Sequence, residues 1–141
     1  MKKLINTALA YLIAGAAAGV FFREFTKFSN FDGPTTLGLM HSHLLVLGLA
    51  VFLIATLFSL HDDFTKDKLF KPFYIVYNIG MVVTVATMLV RGVAEVAGTT
   101  LPMPDAAISG IAGLGHIMIG VGLVLLVVMF KRIVVRKAAS L

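Results

Sequence analysis

Residues 37–60 read LGLMHSHLLVLGLAVFLIATLFSL, a long stretch without Asp, Glu, Lys or Arg. A helix of this length crosses the hydrocarbon core of a bilayer, which is about 30 Å thick. Three more apolar stretches lie at about 4–22, 72–97 and 106–130. A chain of 141 residues that is 59% hydrophobic and 13% charged cannot bury this much apolar surface in a water-soluble core. The sequence therefore predicts one all-α domain, an integral membrane bundle of four transmembrane helices.

Polar connections separate the four predicted spans. The first connection carries Phe25, Phe28 and Phe31 at every third position, which predicts a short helix lying at the membrane interface. Asp105 directly precedes the fourth span and is predicted to cap that helix.

Lysine and arginine are distributed unequally between the two ends of the predicted bundle. The end with both termini carries Lys2, Lys3, Lys66, Lys68, Lys71, Lys131, Arg132, Arg136 and Lys137, and the other end carries Arg23 and Lys27. The positive-inside rule then predicts cytoplasmic termini and a multi-pass protein of the inner (cytoplasmic) membrane. Because this asymmetry explains the net charge of +5, we expect the lipid bilayer, and no nucleic acid, as the partner. The absence of cysteine excludes disulfides, thiol catalysis and c-type haem attachment.

Ionisable side chains inside a span are costly and therefore indicate function. The spans contain His41, His43, Arg91, Glu95 and His116. By helical rise, all five lie at similar depth, towards the end opposite the termini. The sequence thus predicts one polar site in the outer third of the bundle, built from three helices.

Helical periodicity places glycines beside two of these histidines. Gly38 shares a face with His41, and Gly113 and Gly120 share a face with His116. The third span carries a small and polar stripe that is expected to face the bundle interior, formed by Gly80, Thr84, Thr87 and Arg91 and continued by Glu95. His41 and His43 are about 200° apart on a helix, so they do not point at the same atom.

These features match what a haem requires. Imidazoles bind the iron, glycine-sized gaps leave room for the flat macrocycle, and an arginine at the same level pairs with the propionates. We therefore predict haem b, with His41 and His116 as axial ligands, Gly38 and Gly113 beside the macrocycle, and Arg91 at the propionates. His43 is predicted to meet a second partner or a neighbouring subunit.

The stretch Met40-His41-Ser42-His43-Leu44-Leu45-Val46-Leu47-Gly48 resembles the haem-ligating second helix of haem-copper oxidases and nitric oxide reductases. It is also similar to the His-x-His stretch of the NnrS family, and the whole chain resembles the four-helix family DUF2871. The oxidase resemblance implies that His41 ligates haem, and it implies electron transfer or binding of a diatomic gas (O2 or NO). It also implies a quinol or other redox partner and, from the pseudo-threefold oxidase core, a homotrimer. With four histidines, a complete oxidase site within one chain is not expected, and whether the protein is an enzyme stays open.

Other interpretations remain open at this point. His41, His43 and His116 could hold copper or zinc without haem. The same side chains could line a proton or anion path in a transporter subunit, or the chain could be a structural accessory subunit. Arg91 and Glu95 could simply form an ion pair one helical turn apart. His61 is interpreted as a solvated loop histidine.

Overall fold

The protein folds into a bundle of long helices, known from a computed structural model that describes residues 1–139, except the side chain of His61. The interpretation of His61 as a solvated loop histidine concerns this side chain and therefore lies outside the described part of the structure. The helices long and apolar enough to span a membrane are α1 (Lys2–Phe28), α2 (Leu37–Leu60), α3 (Phe70–Ala97) and α4 (Asp105–Ala138). The predicted all-α fold with four apolar spans is confirmed. In lipid, a helix satisfies its backbone hydrogen bonds within a single segment, which favours helical structure throughout these spans.

Helix α2 is irregular in its middle. It consists of α-helical Leu37–His43, π-helical Leu44–Ala50 and α-helical Val51–His61, so the helix continues one residue beyond the apolar span. The hydroxyl of Tyr77, a fully buried residue of α3, donates to the carbonyl oxygen of Leu47 at 2.7 Å. The side chain of a neighbouring helix thus provides a hydrogen bond to the backbone where the regular α-helical pattern is interrupted.

The helices pack as two close pairs, α1 with α2 and α3 with α4, and α2 also packs against α3. Small residues allow the second pair to approach closely. A Cβ atom on Gly80 would lie 2.9 Å from the carbonyl oxygen of Gly115, and one on Gly122 would lie 2.7 Å from the ring of Tyr77. Such close contact is how membrane helices gain packing energy, since lipid is as apolar as a core side chain.

We call the end of the bundle with the chain termini and the α2–α3 connection the terminus end, and the opposite end the distal end. Towards the terminus end, Phe52 is fully buried among aromatic rings. Its ring centroid lies 5.7 Å from that of Tyr11, 6.0 Å from Phe73, 5.9 Å from Tyr74 and 5.8 Å from Tyr77. These rings join α1, α2 and α3 in one cluster, which we call the Phe52 cluster.

The α2–α3 connection is attached to the last turns of α4 by ion pairs. Arg132 contacts Asp67 at 3.0 Å, and Arg136 contacts Asp62 at 2.9 Å. A hydrogen bond from the backbone N–H of Leu69, together with the Arg132 guanidinium, lowers the pKa of Asp67 below its usual value. The loop is therefore attached by interactions that require an ionised carboxylate.

At the distal end, the connections differ from the predicted ones. α1 continues to Phe28, so the predicted separate interfacial helix at Phe25, Phe28 and Phe31 is wrong. The chain turns at Asn30, whose φ of 49° is left-handed, a conformation that asparagine adopts more easily than most residues. Asp105 is the first residue of α4, not its cap; the capping position is Pro104.

A paired-histidine candidate site

Two imidazoles from different helices meet towards the distal end. The ring centroids of His43 on α2 and His116 on α4 are 6.0 Å apart, and the rings are nearly perpendicular, at 89°. His116 is exposed in the isolated chain, about 16 Å along α4 from its first residue. The structure thus places two imidazole rings side by side between two of the apolar spans.

The hydrogen bonds of both rings determine which nitrogen is free. Nδ1 of His43 lies 2.9 Å from the carbonyl oxygen of Leu39, and Nδ1 of His116 lies 2.8 Å from that of Ala112. A carbonyl oxygen only accepts, so Nδ1 carries the proton in each ring and Nε2 carries the lone pair. Metal-ligating histidines typically have this arrangement, in which a backbone acceptor orients the ring. In the neutral form of each ring, Nε2 is therefore the nitrogen that a metal could bind.

His41 lies on a different side of α2 from this pair. Its ring stacks against Phe22 of α1, with centroids 6.4 Å apart, and Gly19 lies beside it. Its Nδ1 is buried and has no hydrogen-bond partner. The expectation that His41 shares the site of His116 therefore differs from the structure, which brings His43 there instead. His43, which the sequence predicts to meet a second partner or a neighbouring subunit, is the histidine that lies beside His116.

The glycines also lie elsewhere than predicted. Gly113 and Gly120 are exposed, with no atom within 4 Å of the position of a Cβ, so their side of α4 points away from the other helices of the chain. Gly115 and Gly122 are the glycines of α4 that face α3. A Cβ on Gly38 would lie 3.3 Å from the ring of Phe22, so Gly38 packs against α1. Open space thus lies beside His116 on the outer face of α4, and not beside His41.

Arg91 is held by two residues at the start of α4. Its Nη2 atom donates to Oδ1 of Asp105 at 2.7 Å and to Oγ of Ser109 at 2.8 Å. Its Nε is buried and without a partner. Arg91 and His116 line one cavity of about 150 Å³, which also contacts Thr36 and Thr87. Of the predicted site residues, Arg91 and His116 therefore belong to the same polar region.

Glu95 serves a different structural role. Its Oε2 accepts hydrogen bonds from the backbone N–H of Thr36 at 2.7 Å and from the Thr36 hydroxyl at 3.2 Å. Thr36 is the capping residue of α2, so the carboxylate lies at the positive end of that helix dipole. The alternative of an Arg91–Glu95 ion pair is not found among the ion pairs of the described residues.

Sequence reasoning missed three residues of this region, namely Thr36, Asp105 and Ser109 as partners of Glu95 and Arg91. Each is polar and lies within the first turns of a helix or just before it. The sequence did contain one signal for these contacts, because an arginine inside a span needs a hydrogen-bond acceptor at a similar depth. Of the three residues, Asp105 is the one that offers a carboxylate.

Within the described part of the chain, no group of three or more His, Cys, Asp or Glu side chains is arranged to hold a metal ion. The site is a pair of imidazoles with an arginine cavity beside it, in an all-α membrane protein with four apolar spans. The chain belongs to the family described as "Protein of unknown function (DUF2871)", whose model matches residues 1–133. No curated protein and no solved structure matches the chain.

Proposed function

We propose that this protein binds b-type haem in the membrane, with His43 and His116 as the imidazole ligands. The observation that carries the proposal is the pair itself: two rings from different helices, 6.0 Å apart, each with Nδ1 bonded to a carbonyl oxygen. Haem iron takes one or two axial ligands from the protein, so two imidazoles meet its requirement. Zinc sites use three or four protein ligands, which makes copper or zinc at this pair the second candidate.

The surroundings of His116 fit a flat cofactor. Gly113 and Gly120 lie one turn before and one turn after it, and both are open on the side where a Cβ would be. Gly113 therefore keeps its proposed place beside the macrocycle, but on the outer face of α4. An exposed imidazole at this depth is costly in lipid, and a bound cofactor or a second copy of the chain would cover it.

Arg91 is the proposed contact for a propionate. Its Nη2 is shared with Asp105 and Ser109, while its buried Nε has no partner. A buried donor without an acceptor is unfavourable, and a carboxylate oxygen of the cofactor would supply that acceptor. The charge of Arg91 is already balanced by Asp105, so we expect this contact to orient the haem more than to hold it.

The role proposed for the haem is electron transfer or diatomic gas binding. Two histidine ligands close the iron and favour electron transfer, whereas loss of one would open it to O2 or NO. The resemblance of residues 40–48 to oxidase and NnrS helices is a sequence argument for the same class of chemistry. We further propose a quinol or other redox partner, a homotrimer that covers the His116 face, and termini in the cytoplasm of an inner-membrane protein.

Absorption spectra of the detergent-purified protein, oxidised and reduced, test the proposal. We expect a Soret band that is lost or strongly shifted in His43→Ala and in His116→Ala. His41→Ala is the matched control, because it also removes an imidazole from α2, but one whose ring packs against Phe22 of α1. This variant should keep the spectrum of the wild type.

Absence of a Soret band, even after haem supplementation, would refute haem binding. Copper or zinc found by elemental analysis, lost in the same two variants, would then identify the second candidate. Flux through liposomes without bound metal or colour would instead support a proton or anion path. If His41→Ala removes the Soret band and His43→Ala does not, the ligand on α2 is His41 and the pairing described above is not the haem site.

A further inference from the structure

A groove separates α1 from α3 on the surface of the bundle, away from the paired histidines. Its volume is about 730 Å³, within the range of small-molecule sites. Its walls include Ala10 and Ala14 of α1 and Val82 and Ala86 of α3, and its mouth carries Lys3 and Asn6. We call it the α1–α3 groove.

The groove runs along the membrane normal from the terminus end. Hydrogen bonds join Thr7 to Tyr74 and Tyr11 to Asn78, both at 2.7 Å, so the two helices run in the same direction. The lining residues of α1 extend from Lys3 to Ala14, a rise of about 17 Å. One leaflet of the hydrocarbon core is about 15 Å thick. The groove therefore has the length of a single acyl chain.

The polar groups gather at the mouth, and most of them are mutually satisfied. The Tyr74 and Thr7 hydroxyls bond to each other, the Tyr11 hydroxyl donates to Asn78, and the Asn78 amide donates to the carbonyl oxygen of Tyr74. Nζ of Lys3 lies 3.9 Å from the centroid of the Tyr74 ring. Among the described residues, no carboxylate makes an ion pair with Lys3. The charge of Lys3 is thus not balanced by a carboxylate, and its ammonium group lies over the ring of Tyr74 at the mouth of the groove.

We propose that the α1–α3 groove binds an anionic phospholipid, with one acyl chain along the groove and the phosphate at Lys3. Basic pockets between transmembrane helices are suited to anionic headgroups. Lys2 and Lys71 lie in the first turns of α1 and α3 and add positive charge to the same end of the bundle. The charge of Lys3 favours an anionic lipid over a neutral quinone or a zwitterionic lipid. This site is separate from the paired histidines and does not depend on haem.

Native mass spectrometry of the purified full chain tests the proposal. Phosphatidylglycerol and phosphatidylcholine with identical acyl chains are added at equal concentration, and the lipid retained by the protein is counted. We expect phosphatidylglycerol to be retained about fivefold better, since one lysine near an anionic headgroup contributes roughly that much.

Lys3→Gln should reduce this preference to near parity. Lys27→Gln is the matched control, because Lys27 is also an exposed lysine of α1 but lies at the distal end. Ala14→Phe fills the groove and should reduce retention of both lipids. Ala86→Phe fills it from the facing wall, and since both alanines are exposed, neither phenylalanine needs to displace a buried side chain.

Equal retention of the two lipids by the wild type would overturn the proposal. So would an unchanged preference in Lys3→Gln, or an equal loss in Lys27→Gln. If both groove-filling variants retain phosphatidylglycerol as the wild type does, the lipid binds elsewhere and the groove is not its site. Should either phenylalanine variant fail to fold, the other and Lys3→Gln still decide.

Discussion

The two ends of the bundle are built from different kinds of contact. Towards the terminus end, the Phe52 cluster packs rings of three helices together, and the hydroxyls of Tyr11 and Tyr77 have acceptors. Buried polar atoms without a partner occur at both ends, but those of ionisable side chains, His41 Nδ1 and Arg91 Nε, lie towards the distal end, where His116 is exposed. At the terminus end the unpartnered atom is the hydroxyl oxygen of Ser59. Unpartnered ionisable groups do not stabilise a bundle, and those beside His116 are the reason for proposing a ligand towards this end. The comparison separates a part that holds the fold from the part at which we propose a ligand.

The largest expected effect concerns the Phe52 cluster. Phe52→Ala removes a fully buried ring that contacts four others. Because lipid solvates an unfolded apolar side chain well, the loss is mainly that of the cavity, and we expect about 2 kcal/mol of destabilisation. Unfolding of the purified protein in increasing dodecyl sulfate measures it. Phe28→Ala, at a ring that is 80% exposed, should leave the unfolding curve in place. Equal effects of the two variants would show that the cluster is not a stabilising core.

A smaller effect is expected where Glu95 caps α2. Glu95→Ala leaves the backbone N–H of Thr36 without its acceptor, while the Thr36 hydroxyl keeps the carbonyl oxygen of Met88 at 3.2 Å, and we expect a loss of about 1 kcal/mol. Thermal unfolding in detergent is the measurement. Glu24→Ala is the control, since that carboxylate makes only a long contact of 3.8 Å with Arg23. If Glu95→Ala unfolds like the wild type while its haem spectrum changes, Glu95 belongs to the ligand site and not to the helix cap.

The smallest effect concerns pH at the terminus end. The pKa of Asp67 is lowered in the folded protein, first by the Leu69 N–H and then by Arg132. A lowered folded pKa gives stability above the usual aspartate value of about 3.9, and this stability is lost as the pH falls through the folded pKa. The melting temperature should therefore decrease when the pH is lowered below about 4. Asp67→Asn should make this decrease smaller.

Asp63 also has a lowered pKa, caused first by a hydrogen bond from Thr65, so part of the dependence should remain in Asp67→Asn. Asp32→Asn, at an exposed carboxylate of the distal connection, is the control. An acid dependence that is the same in Asp67→Asn and in the wild type would contradict the assignment.

The sequence predicts where the helices lie along the chain, but it does not predict how each helix is rotated about its own axis. Gly113 and Gly120 are spaced by seven residues, and so are Gly115 and Gly122. Periodicity alone cannot tell which pair faces α3, because both lie on a regular face of the same helix. The same ambiguity affects His41 and His43, which lie on opposite sides of α2. Sequence reasoning chose the histidine beside Gly38, but Gly38 accommodates Phe22 of α1.

The sequence by itself determined the number of spans and their approximate position along the chain. These follow from hydrophobicity and from the rise of a helix, which need no knowledge of neighbours. The tertiary structure alone decided that His43 meets His116, that Arg91 pairs with Asp105 and that Glu95 caps α2. The physical reason is that lipid and core are equally apolar, so a membrane helix carries little amphipathic signal to orient it. Close packing between specific surfaces fixes each rotation, and with it the site.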